Sequence, residues 1–215
     1  MNHDKEAEIM FVQRLFFTFI YSLFFILFSV SIFLLFVYWL GPPPIDKEVG
    51  VTFVDHEGKM IEDSSPTIVS LHEMPDYLID AIILTEDQNF YHHYGFDVRG
   101  IIRAMIRNIE AKQLKEGAST ITQQLARNLY LSHEKTWLRK IKEAFYTIRL
   151  EMFYPKETIL TMYLNSIYFG HGAYGISEAS ELFFNKKVTD LTLAEAAMLM
   201  GVPKGPTYYS PFNNL

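Results

Sequence analysis

The chain has 215 residues, of which 49% are apolar, enough for one domain with a sizeable core plus an appendage, and this excludes wholesale disorder. A formal net charge of -6 gives no general attraction to nucleic acid, and with no cysteine neither a disulfide framework nor a thiolate metal site is available.

No residue between Arg14 and Asp46 is charged. Within that window Leu15 to Leu40 reads LFFTFIYSLFFILFSVSIFLLFVYWL, longer than the ~20 apolar residues that cross a bilayer. A secretory signal has an apolar region of only about 7 to 15 residues followed by a small-residue cleavage site, so residues 15–40 are expected to be an uncleaved transmembrane anchor. Tyr38 and Trp39 suit the membrane interface, and Gly41-Pro42-Pro43-Pro44 stops the helix in an extended linker. The tail, residues 1–14, carries Lys5 and Arg14 against three acids, and its basic count assigns it to the cytoplasm.

Residues 41–73 form the linker. Within it VGVTFVDHEGKMIED, Val49 to Asp63, alternates around His56-Glu57-Gly58, as a small β-hairpin does. From Met74 the periodicity is helical almost throughout, so residues 74–215 are expected to form one mainly helical domain.

At the front of that domain TEDQNFYHHYGFD, Thr85 to Asp97, crowds two adjacent carboxylates and two adjacent histidines among aromatic rings. A metal site, a proton-transfer site and a polar helix end all fit this composition. Adjacent histidines point in different directions on a helix and no His-Glu-x-x-His spacing occurs, which weighs against zinc.

The next stretch, FDVRGIIRAMIRNIEAK, places Val98, Ile101, Ile102, Met105, Ile106 and Ile109 on one helical face, beside a row of Arg99, Arg103 and Arg107. Such a helix either packs on the core or lies in a membrane surface with its cations near lipid phosphates. Gly117-Ala118 then breaks the chain, and Thr120 and Gln123 stand in capping-box register for a helix whose N-terminus can receive phosphate. Ser132 is expected to start another helix carrying Lys135, Arg139 and Glu143 on one face. From Arg127 to Arg149 six basic residues (Arg127, Lys135, Arg139, Lys140, Lys142, Arg149) face two acids, a local excess suited to a diphosphate.

These residues resemble a known family. TEDQNFYHHYG is similar to the E-D-x-x-F-x-x-H-x-G motif of the peptidoglycan glycosyltransferases, glycosyltransferase family 51. GASTITQQLARN resembles G-x-S-T-I-T-Q-Q-x-x-K-N, RKIKE (Arg139 to Glu143) resembles the third motif, and ILTMYLNSIYFGHGAYGI and LTLAEAAMLMGVPKGPTYYSPF resemble the fourth and fifth. Five motifs in order cover the chain from about Val49 to its last residue.

The resemblance implies a mainly α, lysozyme-like helical domain with a small β-hairpin, an N-terminal transmembrane helix and a membrane-embedded jaw. It implies an extracytoplasmic enzyme at the plasma membrane that polymerises lipid II into β-1,4 glycan strands and releases undecaprenyl diphosphate. Glu86 takes the general-base position, and Glu143 the position that assists at the diphosphate. Substrate binding is carried over to Asp87, Phe90, His93, Gly95, Ser119, Thr120, Gln123, Gln124, Arg127, Lys135, Arg139, Lys140 and Asn165. Inversion at an anomeric carbon by one in-line displacement needs one base and charge stabilisation, with no covalent nucleophile.

The family's activity is often assisted by a divalent cation such as Mg2+ or Mn2+, although the sequence itself requires no cofactor. The implied partners are lipid II, the growing glycan strand, the membrane and other cell-wall synthesis or division proteins.

Arg127 stands where the family usually has lysine, and Lys135 where arginine is common; both keep the charge with a different geometry toward phosphate. The sequence stops just inside the last motif, as either a shortened monofunctional enzyme or the N-terminal part of something longer. Two other functions remain open: a lysozyme-like enzyme cleaving glycan strands without lipid II, and an inactive scaffolding relative.

Overall fold

The structure, a computed structural model, describes residues 2–45, 53–54, 60–62, 68–113, 117–132, 134, 136–206 and 208–212. Residues 1–41 and 42–215 are two separately compact units.

The first unit is one helix, α1 (Asn2–Trp39), which runs through both the tail and the expected anchor. Its stretch Gln13–Trp39 is 27 residues long, about 40 Å at 1.5 Å per residue, against a hydrocarbon core of about 30 Å. Its phenylalanines and leucines are exposed along most of this length, as a lipid-facing helix requires. The few polar side chains do not break that surface. Thr18 and Ser31 donate their hydroxyls to the carbonyls of Arg14 and Leu27, at 2.7 and 2.9 Å, so neither group is left unbonded in an apolar medium.

The second unit is mainly helical. β1 (Phe53–Val54) and β2 (Met60–Glu62) pair antiparallel, in line with the expected hairpin; its turn, His56-Glu57-Gly58, lies outside the described residues. Then follow α2 (Asp76–Glu86), α3 (Val98–Ala111), α4 (Ile121–Tyr130), α5 (Trp137–Phe153) and α6 (Lys156–Ser166). A second hairpin, β3 (Tyr168–Gly170) and β4 (Ala173–Tyr174), precedes α7 (Ile176–Phe184) and α8 (Leu193–Gly201).

That second hairpin is absent from the sequence reading. Its two-residue loop, His171-Gly172, has φ of 51° and 86°, the doubly positive geometry that matches the twist of paired strands. Glycine adopts it without a Cβ penalty, and the histidine before it accepts a modest one.

The core forms around α4. Ile121, Leu125 and Ala126 bury one face of this short helix, which packs against α5 and α6, while α2 packs against α8. Leu78 and Ile82 of α2, Leu150 of α5, and Leu160 and Leu164 of α6 complete the same cluster. Each such side chain contributes about 1.5 to 3 kcal/mol on burial, which is what holds a polar helix start at the centre of the domain.

Two elements differ from expectation. α5 begins at Trp137, with the Thr136 hydroxyl accepting from the Arg139 N–H at 3.1 Å, rather than at Ser132. Lys135 therefore precedes the helix, and it lies outside the described residues; Arg139 and Glu143 remain on one face of α5. α3 spans nearly the expected range, and its apolar face looks outward: Ile102, Met105, Ile106 and Ile109 are exposed, while Gly100 and Ala104 form its buried side.

Candidate active site

α2 ends on Glu86, and Asp87 turns away from the helix into the domain. The Asp87 carboxylate is the hub that joins the end of α2 to the start of α4. It accepts the Ile121 N–H at 3.0 Å, and both its oxygens lie 3.0 Å from Nε2 of His93. An anion at a helix N-terminus also interacts favourably with the unpaired N–H groups there. The His93 ring is oriented from its other side, where Nδ1 accepts the Gly95 N–H at 3.1 Å. Nε2 therefore carries the proton that is donated to Asp87.

Gly95 has φ of +84°, and a Cβ there would sit 2.6 Å from Cγ2 of Thr147, so only glycine lets this turn lie on α5. Its carbonyl accepts the Thr120 hydroxyl at 2.7 Å. Thr120 caps α4 by accepting from the Gln123 N–H, and Gln123 returns the bond by accepting the Thr120 N–H at 3.1 Å. The two polar motifs are thus stapled together at Asp87–Ile121 and Gly95–Thr120.

This frame positions Glu86. Gln124 donates from Nε2 to Oε2 of Glu86 at 2.8 Å, and Oε1 of Gln124 accepts the Tyr163 hydroxyl at 3.2 Å. Oε1 of Glu86 is shielded from solvent and has no hydrogen-bond partner among the described residues. Leaving a shielded acceptor unpaired costs about 1 to 3 kcal/mol, more for a charged group, and such groups call for an explanation, a catalytic role among them. Glu86 and Gln124 line a cleft of about 1150 Å³, together with Ser119, Arg103, Arg107 and Lys204.

A second, smaller cavity of about 310 Å³ shares Gln124 and Pro203 with this cleft and is lined by Arg127 and Arg139. Glu143 stands behind Arg139. Its side chain is 0% exposed and binds NH1 of Arg139 at 2.8 Å and the ammonium of Lys140, whose side chain is 43% exposed. Arg139 Nε is buried without a partner among the described residues, a cationic donor with unused capacity beside the cavity. The chain thus joins a carboxylate with an unused acceptor to a basic cavity through one shared wall.

Not every expected residue enters the cleft. Phe90 is fully buried and packs edge-on to His93, with the Lys156 ammonium 4.5 Å from its ring centroid. Thr120 and Gln123 spend their side chains on the α4 cap. Asn165 is wholly occupied by backbone: it donates to the carbonyls of Val69 and Thr161 at 2.9 and 2.8 Å and accepts the Val69 N–H at 2.9 Å. Near the hub, Asp97 is buried and accepts from Asn89 at 2.9 Å. Burial raises its pKa, but the Gly100 N–H, the Asn89 amide, His93 and the Arg99 N–H together hold it below its ordinary value.

Tyr163 is the residue that sequence reasoning missed. It sits at a core position of α6, and its polar partner lies 39 residues away on α4. Lys204 and Tyr209 of the last motif also line the cleft without having been singled out, whereas Arg103 and Arg107 belong to the basic row already noted on α3. Among the described residues no three carboxylate or imidazole groups converge.

The family model described as Transglycosylase matches residues 55–215. Penicillin-binding protein 2D of Bacillus subtilis (strain 168) is 56% identical over 146 residues, covering 68% of this chain and 21% of that protein. Penicillin-binding protein 1F of the same organism is 52% identical over 143 residues, covering 66% of this chain and 20% of that protein. Penicillin-binding protein 1A of Aquifex aeolicus (strain VF5) is 49% identical over 144 residues, covering 67% of this chain and 20% of that protein. The chain spans about a fifth of the length of these relatives.

Proposed function

Because the chain belongs to the transglycosylase family, the peptidoglycan glycosyltransferases of family 51, we propose that it polymerises lipid II into β-1,4 glycan strands, with Glu86 as the general base. The observation that carries this reading is the Glu86 carboxylate. One oxygen is held by Gln124 and the other has no partner among the described residues, and the cleft it lines meets a basic cavity at Gln124 and Pro203.

Glu86 removes the proton from the 4-hydroxyl of the acceptor sugar as that oxygen attacks the anomeric carbon of the donor from the face opposite its diphosphate. The new C–O bond forms as the bond to the diphosphate breaks, and the configuration inverts. Arg127 and Arg139 meet the charge that develops on the departing diphosphate, and an arginine fork suits two phosphate oxygens at once. Glu143 assists by holding Arg139 and Lys140 in place. A divalent cation carried by the substrate would add charge neutralisation at the diphosphate.

The same reading places the catalytic unit outside the cytoplasm, tethered by α1 with its N-terminus inside, and the outward apolar face of α3 in the membrane surface where the substrate's lipid resides. Proteins of cell-wall synthesis or division are the partners that fit such an enzyme.

The test is Glu86→Gln assayed with labelled lipid II. The amide cannot accept the proton, so polymer formation falls by about 10² to 10⁴ with the fold retained. Near-normal polymerisation by a folded Gln variant would remove Glu86 from its role.

A further inference from the structure

We propose that Tyr163 is a positioning residue for this reaction: through its hydroxyl it fixes the Gln124 amide, so that Oε2 of Glu86 stays bonded and the acceptor's proton passes to Oε1. The proposal rests on the reading of Glu86 as the base.

Tyr163 is fully buried on α6, among the largest fully enclosed side chains of the domain. A phenylalanine would fill that volume equally well, so the hydroxyl needs its own explanation. Its hydrogen bond goes to Oε1 of Gln124 at 3.2 Å. Burial pushes the hydroxyl pKa well above its ordinary range, the negative charge of Glu86 adds to this, and Arg127 opposes it only in part. Tyr163 therefore remains protonated and able to donate throughout the neutral range.

Amide orientation then follows by elimination. With Tyr163 donating, Oε1 of Gln124 faces α6 and Nε2 faces Glu86, which satisfies both contacts. Flipping the amide would set its carbonyl oxygen 2.8 Å from a carboxylate oxygen, a contact between two acceptors. The tyrosine thus acts on Glu86 at one remove.

The consequence is chemical. Oε2 has its donor before and after the proton moves, whereas Oε1 has no partner among the described residues. In the step itself the acceptor O–H bond breaks, its oxygen bonds the donor carbon, the diphosphate leaves with the electron pair of its C–O bond, and the proton ends on Oε1. A carboxylate free to swing would present either oxygen, and misplacement of about 1 Å can cost 10²-fold in rate.

The experiment uses the full chain with labelled lipid II and measures kcat and KM for Tyr163→Phe, Gln124→Ala and the double variant, with thermal melts of each. Tyr163→Phe should lower kcat about 10- to 100-fold while KM moves less than about twofold. In the Gln124→Ala background the same change should cost less than about twofold more, because its effect is transmitted through that amide. Equal losses in both backgrounds, a change in KM alone, or wild-type kcat in Tyr163→Phe would overturn the proposal. If Tyr163→Phe does not fold, Gln124→Ala decides alone, since wild-type kcat there leaves no link to Glu86. A dead Glu86→Gln beside a fully active Tyr163→Phe would sink this proposal and leave the base intact; an active Glu86→Gln would remove the base as well.

Discussion

Replacing Asp87 with asparagine tests whether the polar frame is built as described. The wild-type carboxylate takes the Ile121 N–H and the His93 Nε2–H at 3.0 Å, in a position 6% exposed. In the variant an amide oxygen at the Oδ2 position still accepts both, but the NH2 group then lies against a ring N–H at about 3 Å, two donors in contact. The other tautomer of His93 gives no escape, because a proton on Nδ1 would face the Gly95 N–H across 3.1 Å. A buried unpaired donor costs about 1 to 3 kcal/mol, and the two surviving bonds lose about 1 kcal/mol each when the acceptor becomes neutral. The total is about 3 to 5 kcal/mol. For a domain of this size that is a fall in Tm of about 6 to 20 °C, read by near-ultraviolet circular dichroism of the chain in detergent. Nitrogen NMR of the wild type should show His93 protonated at Nε2. A shift in Tm below about 2 °C, or a proton found on Nδ1, would refute the reasoning.

Glu143→Gln removes the carboxylate that holds Arg139 and Lys140. With Lys140 half in solvent, the loss is about 1 to 3 kcal/mol in thermal melts, and lipid II turnover should fall more than about tenfold. Changing both Ile102 and Ile106 to serine should release a chain beginning at residue 42 from liposomes containing anionic lipid. At about 2 kcal/mol per side chain this is roughly a thousandfold in partitioning, with Tm nearly unchanged because both residues are exposed. Glu195 is held at a pKa of about 2, chiefly by the Lys186 ammonium and then by the Thr192 N–H and hydroxyl. A depressed carboxylate stabilises the fold above its ordinary value of 4.5 and loses that contribution as pH falls toward 2. The Tm difference between wild type and Glu195→Gln should therefore be full at pH 7 and shrink steadily as pH falls from 4.5 through about 2.

Legibility followed the range of the interactions. The α4 cap was readable because Thr120 and Gln123 are three residues apart and bond each other. The start of α5 was misplaced because SHEKT offers two hydroxyls; Thr136 stands immediately before Trp137 and caps the amide three residues on, and Ser132 lies four residues too early. The face of α3 could be drawn from spacing, but which way it turned depends on what packs against Gly100 and Ala104. Tyr163 was hidden for a related reason. At helical spacing with Ile159, Leu160 and Leu164 it reads as one more core ring, and its hydroxyl has meaning only beside Gln124. The motif resemblance pointed to Asn165 without showing that its amide serves backbone.

The clamp made by Asn165 also has a consequence in time. It secures both backbone groups of Val69, 96 residues earlier in the chain, just before α2. At a synthesis rate of about 5 to 20 residues per second, Val69 waits roughly 5 to 20 s for its partner. During that interval the N–H and C=O of Val69 have only water to bond in place of the Asn165 amide. The order of synthesis thus leaves the segment before α2 without this fastening until Asn165 arrives, and slower elongation would lengthen that interval in proportion.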